Sequence, residues 1–382
     1  MPLKIPRRKY NLDRLEDVRA RQVPKIPGEP IPMTEFECEL PKNCGQPWIG
    51  AYSKHGFWYK FEHAEQKDFD KVVAYSIDTD QWLLQYKDYE VWKNGFGNEL
   101  EIVVAKNQRD EVMGAIAFAK LGTSRGVIGL HWMMEDYRHS GIGMQLFKYA
   151  MKVLSGRNVC VNAVSHLSNK VRSRFVHAPS WRIDHIIVDK PKGLKNLKTE
   201  ISAQILSAKD VDMKKVSAFD DRITGGQFMR DKWLAAWLHH PDGHGRVAVT
   251  QRGEVCGFGM VREAAGGWTK RLVVGPLYAQ DERVAMALLY ELLMNYYDPE
   301  ERPDWNPNLQ AIESREVHFF CPTSNNGSTN QRLLRLAGEL KGEEGDVIEH
   351  ARFWHQPLFT EEAIDADADK VFCVSDWHLA VI

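Results

Sequence analysis

The chain has 382 residues, 43% of them hydrophobic, and it contains 12 tryptophans. A chain of this length exceeds one ordinary hydrophobic core, so we expect about two domains. Basic residues number 50 and acidic residues 52, and the net charge of −2 provides no global field that would favour nucleic acid or an anionic membrane.

No apolar run approaches the ~18 residues that a membrane-spanning helix needs, and the first residues lack the apolar core of a signal peptide. The six cysteines are scattered without a C-x-x-C pair, which indicates reduced thiols and no zinc site. His239, His240 and His244 have no cysteine or carboxylate partners at ligand spacing, so no metal is expected. These features predict a cytoplasmic protein with no nucleic-acid or membrane partner, and they leave the oligomeric state open.

Residues 1–50 are rich in proline and charge. Four prolines between positions 24 and 32 disfavour a continuous helix, so we predict an arm that lies over the surface. From residue 57 onward, periodic apolar residues predict regular elements. In chain order these are a strand at 57–61, helices at 68–76 and 77–92, strands at 101–105 and 112–118 joined as a hairpin, a strand at 127–134, a helix from 142, a strand at 159–161, a helix at 168–175 and a closing strand at 183–188.

The stretch from residue 127 to residue 154 carries the strongest functional signal. An apolar strand is followed by a turn from Arg138 to Gly143 and then by an amphipathic helix. The free N–H groups and the dipole of a helix start attract anions, and Gly141 and Gly143 let a phosphate approach the backbone closely. The pattern differs from the dinucleotide fingerprint and from the P-loop. An alternative is a helix start with a tight glycine turn and no ligand.

This strand, turn and helix resemble motif A of the GCN5-related N-acetyltransferases (GNAT family), in which [RQ]-x-x-G-x-[GA] binds the pyrophosphate of acetyl-CoA. The resemblance implies that the strand hydrogen-bonds pantetheine through its backbone and that the turn amides hold the pyrophosphate. Acetyl-CoA is then the co-substrate, and no metal is involved. The implied cofactor-binding residues are His131, Trp132, Met133, Arg138, His139, Ser140, Gly141, Ile142, Gly143, Met144 and Asn169.

The catalytic groups are less constrained by the sequence. His131 is the titratable side chain on the strand, and an ordinary histidine pKa near 6.5 suits proton removal at neutral pH, although a histidine packed in the core is an equal alternative. Glu135 is a weaker candidate. Many family members carry a tyrosine acid after the last long strand, but residues 167–175 contain none, so Ser173 or water would have to replace it. Tyr278 is a further candidate if it reaches a pocket between the domains, and a core tyrosine is the alternative.

Beyond a Lys-rich linker the first half is repeated. Residues 108–114 are echoed by residues 251–257, and helices at 211–219 and 228–238, a strand at 272–278, a helix at 285–293, a strand at 317–321 and a helix at 330–336 follow in matching order. We therefore predict an arm at 1–50, a first domain at 51–192, a linker at 193–204 and a second domain at 205–382.

The second copy departs from the first at the phosphate turn. Residues 280–285 contain no glycine, and Asp281 and Glu282 place negative charge where the helix dipole would otherwise attract an anion. The second copy is therefore expected not to hold CoA in this way. The segment from Trp268 to Leu289, with its Gly-Pro-Leu-Tyr-Ala element, resembles the C-terminal domain of YitH-like acetyltransferases.

The resemblance, which spans residues from about 57 to 382, implies an α/β fold of two tandem GNAT-like domains, each with a mixed, mostly antiparallel sheet flanked by helices. The implied activity is direct transfer of acetyl from acetyl-CoA to an amine in a ternary complex, with the degenerate second domain capping the acceptor site. An enclosed cleft favours a small-molecule amine. The alternatives are a non-catalytic acyl-CoA-binding or regulatory protein and a protein N-acyltransferase. N-myristoyltransferase, also a tandem GNAT protein, is disfavoured because its peptide-binding signatures are absent.

Overall fold

The computed structural model describes residues 50–80, 82–164, 174–228, 230–266, 271–297, 316–324, 331–342, 348–350, 354–364, 366–375 and 378–379. These residues form fifteen strands and seven α-helices. In the first half they are β1 (Ala51–Tyr52), β2 (Trp58–His63), α1 (Gln66–Asp80), α2 (Asp88–Phe96), β3 (Leu100–Lys106), β4 (Val112–Leu121), β5 (Arg125–Met133), α3 (Ile142–Val153), β6 (Asn158–Val164) and β7 (Trp181–Asp189).

The second half repeats this order with additional short strands. Its elements are β8 (Gln204–Ser207), α4 (Met213–Thr224), α5 (Asp231–Leu238), β9 (Gly243–Val249), β10 (Val255–Glu263), β11 (Arg271–Ala279), α6 (Glu282–Tyr297), β12 (Glu316–Ser324), α7 (Gln331–Lys341), β13 (Ile348–His350), β14 (His355–Phe359) and β15 (Val371–Cys373). No helix in the described ranges combines the length and apolarity needed to cross a membrane.

Most predicted elements are confirmed, including the hairpin of β3 and β4 and the strand and helix on either side of the glycine turn. The predicted helix at 77–92 is wrong, because α1 continues to Asp80 and α2 starts only at Asp88. The intervening segment is hydrogen-bonded to the second half: Ala265 N–H donates to the Leu84 carbonyl at 2.7 Å, and Arg262 donates to the Leu83 carbonyl at 2.8 Å. Most of the predicted helix at 168–175 lies outside the described residues.

The two halves exchange strands and form one continuous sheet, whereas the sequence predicts a separate sheet in each domain. Strand β7 pairs along its whole length with β12 of the second half, and β14 of the second half pairs with β6 of the first. The described pairs are antiparallel except β5 with β6 and β11 with β12. The strand order is β1-β2-β3-β4-β5-β6-β14-β7-β12-β11-β10-β9-β8, with β13 added to β7 and β15 to β11.

Three apolar clusters fill the molecule. One lies under α3 in the first half and includes Leu358 of the exchanged strand β14. A second lies under α6 and α7, and Leu194 and Leu197 from the predicted linker are buried in it. The third is shared by both halves and gathers α1, α2, α4 and α5 on the opposite face of the sheet. There α2 approaches α5 so closely that a Cβ on Gly95 would lie 2.7 Å from Trp233 Cα.

A buried charged group joins the halves at this interface. Asp88 at the start of α2 is 3.0 Å from His240 Nε2 and 3.4 Å from an Arg262 nitrogen, and all three side chains are buried. Burial alone would raise the pKa of Asp88, but the Arg262 charge and the His240 hydrogen bond outweigh burial and hold that pKa below its usual value. The ionised carboxylate therefore stabilises the contact between the halves.

Candidate functional site

The candidate site begins where β5 and β6 separate. They pair only from Arg125 to Ile128 with residues 158–161, and their remaining residues diverge. At the same point β5 contains one more residue than its partner β4. Ile128 pairs with Phe118 and His131 pairs with Ile116, so three steps along β5 match two steps along β4. A V-shaped gap therefore opens beside a β-bulge in β5.

A cavity of about 120 Å³ lies in this gap. Side chains alternate along β6, so Val161 and Ala163 face the core under α3, whereas Asn162 and Val164 face the side of α1 and α2. Because the cavity touches all four residues, it extends from one face of the sheet to the other. Its lining residues are Trp82, Ile128, Gly129, Leu130, His131, Phe147, Val161, Asn162, Ala163, Val164 and His378.

The glycine turn lies at the α3 end of the gap. Gly141 precedes α3 with a φ of +92°, and His139 has a φ of +66°, so the turn uses left-handed backbone at two positions. Ser140 Oγ accepts from Ile142 N–H at 3.3 Å. In the described part of the chain no acceptor is bonded to the amides of Gly141, Gly143 and Met144, as expected for the first turn of a helix. These amides form a potential anion site.

Two basic residues flank the turn in different ways. The Arg138 guanidinium contacts Asp80 at 2.6 Å and donates through Nε to the Met133 carbonyl at 3.1 Å. Arg138 therefore fixes the turn against α1 and the end of β5. Lys54, from the hairpin of β1 and β2, lies beside Gly141. Its Cγ is 3.5 Å from the position that a Cβ on Gly141 would occupy. Sequence reasoning missed Lys54, because only the folded hairpin brings it to the turn.

His131 lies on the α3 side of the gap. Its Nε2 is 2.9 Å from the Gly143 carbonyl and donates to it, so in the neutral ring Nδ1 is the acceptor nitrogen. Surrounding protein atoms lower the pKa of His131 below its usual value, with the Gly143 carbonyl opposing, although the ring stays exposed on the cavity wall. The histidine therefore ties the strand to the first turn of α3 and is predominantly neutral at neutral pH. Trp132 and Met133 follow it on the same strand.

The other predicted catalytic residues are not gathered around the cavity. Glu135 is exposed in a short 3-10 turn and does not line it. Tyr278 is fully buried in the second half, where Arg230 donates to its hydroxyl at 3.3 Å and burial raises its pKa. The structure thus does not bring Tyr278 to His131. Asn169 and Ser173 lie outside the described residues.

The structure adds His378 to the cavity wall, a residue that sequence reasoning did not select. Its carbonyl accepts from Leu130 N–H at 2.6 Å, and its ring lies 5.4 Å from the ring of Trp82. Gly129 allows this approach, because a Cβ there would overlap the His378 carbonyl. A glycine inside an apolar strand was the available sequence signal, since it marks a bulge or a close backbone approach.

The corresponding gap of the second half is filled by its own chain. Strand β15 pairs with β11 through Cys373 and Leu277, and Val374 N–H donates to the Phe320 carbonyl at 2.8 Å. The bulge on β11 falls at Gly275 and Pro276, and proline has no N–H to offer a ligand.

The helix start of the second half is also occupied. Asp281 Oδ1 accepts from Val284 N–H at 3.0 Å, and Glu282 pairs with Arg335 at 2.9 Å. Two carboxylates therefore stand at the helix start of the second half, where the first half has its glycine turn. Within the described ranges, no group of three or more His, Cys, Asp or Glu side chains is arranged to hold a metal ion.

Comparison with known proteins yields matches to both halves. Residues 58–176 match the Acetyltransferase (GNAT) family, and residues 216–313 match an Acetyltransferase (GNAT) domain, which together cover more than half of the chain. No curated protein matches the chain.

Solved structures of the same fold are distant in sequence. A protein from Pyrococcus horikoshii classed as an acetyltransferase is 16% identical, with a TM-score of 0.59 over 84% of this chain and 96% of that one. A tandem GNAT protein from the clavulanic acid biosynthesis pathway is 13% identical, with a TM-score of 0.53 over 79% and 98%. N-myristoyltransferase from Saccharomyces cerevisiae is 9% identical, with a TM-score of 0.52 over 83% and 87%. At these identities the likeness shows the fold alone.

Proposed function

The chain is a GNAT-type acetyltransferase with two domains of that family, and we propose that it transfers acetyl from acetyl-CoA to a small-molecule amine at a single site in the first domain. The observation that carries the proposal is the contrast between the two gaps. The gap between β5 and β6 contains a cavity that ends at a glycine turn. The gap between β11 and β12 is filled by β15, and carboxylates stand at its helix start.

The residues of the turn fit the pyrophosphate of acetyl-CoA. Gly141 adopts a left-handed conformation, and Gly143 packs so closely against Met133 that a Cβ would lie 3.0 Å from Met133 Cγ. Because neither residue has a side chain, the backbone amides of the turn stay accessible. The α3 dipole and the charges of Lys54 and Arg138 add positive potential. Residues 131–133, beyond the bulge, supply backbone groups for pantetheine. His139, Ser140, Ile142 and Met144 complete the contacts proposed for the turn.

The acceptor is proposed to enter from the face covered by α1 and α2 and to attack the thioester carbonyl directly. Acetyl-CoA supplies the activated acetyl group, and the protein orients the two substrates on opposite faces of the sheet and excludes water. The amine attacks as a neutral nucleophile. In this arrangement the second domain closes the acceptor side, and its degenerate turn binds no second cofactor.

Other assignments remain proposals with weaker support. A non-catalytic acyl-CoA-binding protein is favoured by the absence of tyrosine from residues 167–175, and a protein N-acyltransferase is compatible with the same turn. The YitH-like character of the second domain rests on its Gly-Pro-Leu-Tyr-Ala element. A cytoplasmic location is supported by four free and buried cysteines, at positions 160, 256, 321 and 373.

A mass-resolved acetyl-transfer assay on the full chain tests this function. The amine panel contains an aliphatic amine, an arylethylamine, an amino acid, an amino sugar, a polyamine and a peptide with a free N-terminus. We expect an acetylated product from at least one small amine and not from the peptide. Acetyl-CoA binding without turnover on any amine would favour the non-catalytic reading, and acetylation of the peptide alone would favour the protein acyltransferase.

A further inference from the structure

Resting on the proposed function, we propose that His378, which the second domain contributes to the cavity, contacts the acceptor amine and takes the proton that the amine loses during acetyl transfer. Three observations carry this inference: the position of His378 on the acceptor face, the fixed geometry of its backbone and the aromatic surface beside its ring. It assigns the acceptor side of the site to the second half of the chain.

His378 and Trp82 lie on the side of the gap opposite the glycine turn. Trp82 follows α1 and packs with the apolar cluster that α1 and α2 cover, and the His378 ring is its neighbour at 5.4 Å. His131, in contrast, is turned to the α3 side by its bond to the Gly143 carbonyl. The cavity is therefore lined by one histidine from each side of the sheet, and His378 is the one on the acceptor side.

The backbone of His378 is held in place at the narrow end of the gap. Its carbonyl accepts from Leu130 N–H at the bulge, and Gly129 allows the two chains to approach. The residue is 2% exposed, so its neighbours restrict the side chain to few conformations. A catalytic group has to be positioned in this way, because misplacement by about 1 Å can cost on the order of 100-fold in rate.

The chemistry requires a proton acceptor on this face. The amine nitrogen forms a C–N bond with the thioester carbonyl carbon, the C–S bond breaks, and CoA leaves as the thiolate. The proton lost by the nitrogen passes to the His378 imidazole and then to the thiolate, so that acetyl-CoA and amine yield amide and CoA. An amine that arrives as a cation, which the indole of Trp82 in the cavity wall would attract, first releases one proton to water, and the neutral nitrogen then attacks.

Among the described residues, three other ionisable groups lie on the elements around His378. Across the cavity stands His131 on β5, and beyond Val164 lies His355 on β14. At the end of α1, Asp80 is paired with Arg138 and bonded to Trp132 Nε1. An ionisation that disappears when His378 is replaced can therefore be assigned to it, provided that these three residues are retained.

The test compares wild type, His378→Gln and the control His239→Gln in the full chain. Glutamine has a similar size but takes up no proton at neutral pH, and His239 is an exposed residue at the end of α5. The measurements are acetyl-CoA affinity by calorimetry, thermal stability, and kcat on the panel amine that wild type acetylates fastest, from about pH 5.5 to 9. We expect His378→Gln to keep its acetyl-CoA affinity within about threefold, to lose about 100-fold or more in kcat, and to lose the rise of kcat with pH that wild type shows.

The outcomes separate this inference from the proposed function. If His378→Gln retains kcat within about threefold and the same pH profile, the role of His378 is overturned and the enzyme assignment stands. If wild type binds acetyl-CoA but acetylates no amine, both fall. If His378→Gln does not fold, His378→Asn replaces it: a kcat within about threefold of wild type overturns the inference, and a loss of about 100-fold with unchanged acetyl-CoA affinity supports it.

Discussion

Gly143 is the glycine of the turn at which an added side chain would meet its neighbours most closely. It packs against Met133 and follows the left-handed Gly141 into α3. Gly143→Val should lower acetyl-CoA affinity by about tenfold or more, ~1.4 kcal/mol, because the side chain would press on Met133 and His131 and displace the amides of the turn. Gly338→Val is the matched control, since Gly338 is exposed in α7 with no atom within 4 Å of an added Cβ. Calorimetry in which both variants bind like wild type would contradict the assigned turn.

Asp88 links the pH dependence of stability to the contact between the halves. The pKa of Asp88 is lower in the folded chain than in the unfolded chain, where it is about 3.9. Its contribution to the free energy of unfolding is therefore fully present above about pH 3.9 and is lost as the pH falls through the folded pKa. Asp88→Asn should lower the free energy of unfolding by about 3 kcal/mol at pH 7, because it leaves the Arg262 charge without its carboxylate. Urea unfolding should show this difference shrinking below about pH 4.

The control for Asp88 is an exposed carboxylate. Asp367→Asn removes the partner of Lys370 in a surface ion pair, and such pairs contribute about 0 to 1 kcal/mol. A loss of the same size in both variants, or a difference between Asp88→Asn and wild type that does not change with pH, would contradict the stabilising role of the ionised Asp88 carboxylate.

At the scale of single elements, β14 completes the core of the half to which it does not belong in sequence. Leu358 is buried under α3 beside residues of the first half. Leu358→Ala should cost about 2 to 5 kcal/mol and should increase amide hydrogen exchange in β6. Leu336→Ala, the same truncation in the second-half core, should increase exchange in α7 instead. Faster exchange in β6 from the control alone would argue against the strand exchange.

Elements whose apolar pattern is local in the chain could be predicted from the sequence, and contacts between distant segments could not. Strand β5, the glycine turn and α3 lie consecutively in the chain and show their periodicity directly, so the cofactor side of the candidate site could be predicted. The exchange of β7 and β14 depends on pairing between residues more than 100 positions apart, which a local pattern does not encode. The break between α1 and α2 depends on hydrogen bonds from the second half to Leu83 and Leu84, so the apolar spacing alone suggested a helix.

The acceptor side escaped prediction for the same physical reason. Trp82 and His378 come from an interhelical segment and a late part of the chain, and they meet the gap only after the sheet has formed. On the cofactor side, Lys54 likewise reaches the glycine turn only after its hairpin has folded. Gly129, a glycine inside an apolar strand, was the one local feature of the sequence that indicated the contact between β5 and His378. Tyr278, chosen for its position in a recognisable element, is instead bonded to Arg230 in the core of the second half.

For the whole molecule, the exchanged strands predict that the first half cannot stand alone. Residues 1–195 would leave β6 without β14 and would expose β7 along its whole length. We expect this fragment to be insoluble or to unfold without cooperativity, because unpaired strand edges and uncovered apolar surface favour association. A soluble, monomeric fragment with a cooperative transition by circular dichroism, fully active on the same amine, would contradict both the expectation and the closing role of the second domain.

The central claim is that a duplicated fold keeps one cofactor site, in the half whose gap is open. Calorimetric titration of the full chain with acetyl-CoA tests it most directly, with the competing ligand CoA as a second titrant. The account predicts one site per chain, weakened about tenfold or more in Gly143→Val and unchanged when Asp281 is replaced by Asn in the second half. Two sites per chain, or one site whose affinity is unchanged in Gly143→Val and lowered in Asp281→Asn, would contradict it.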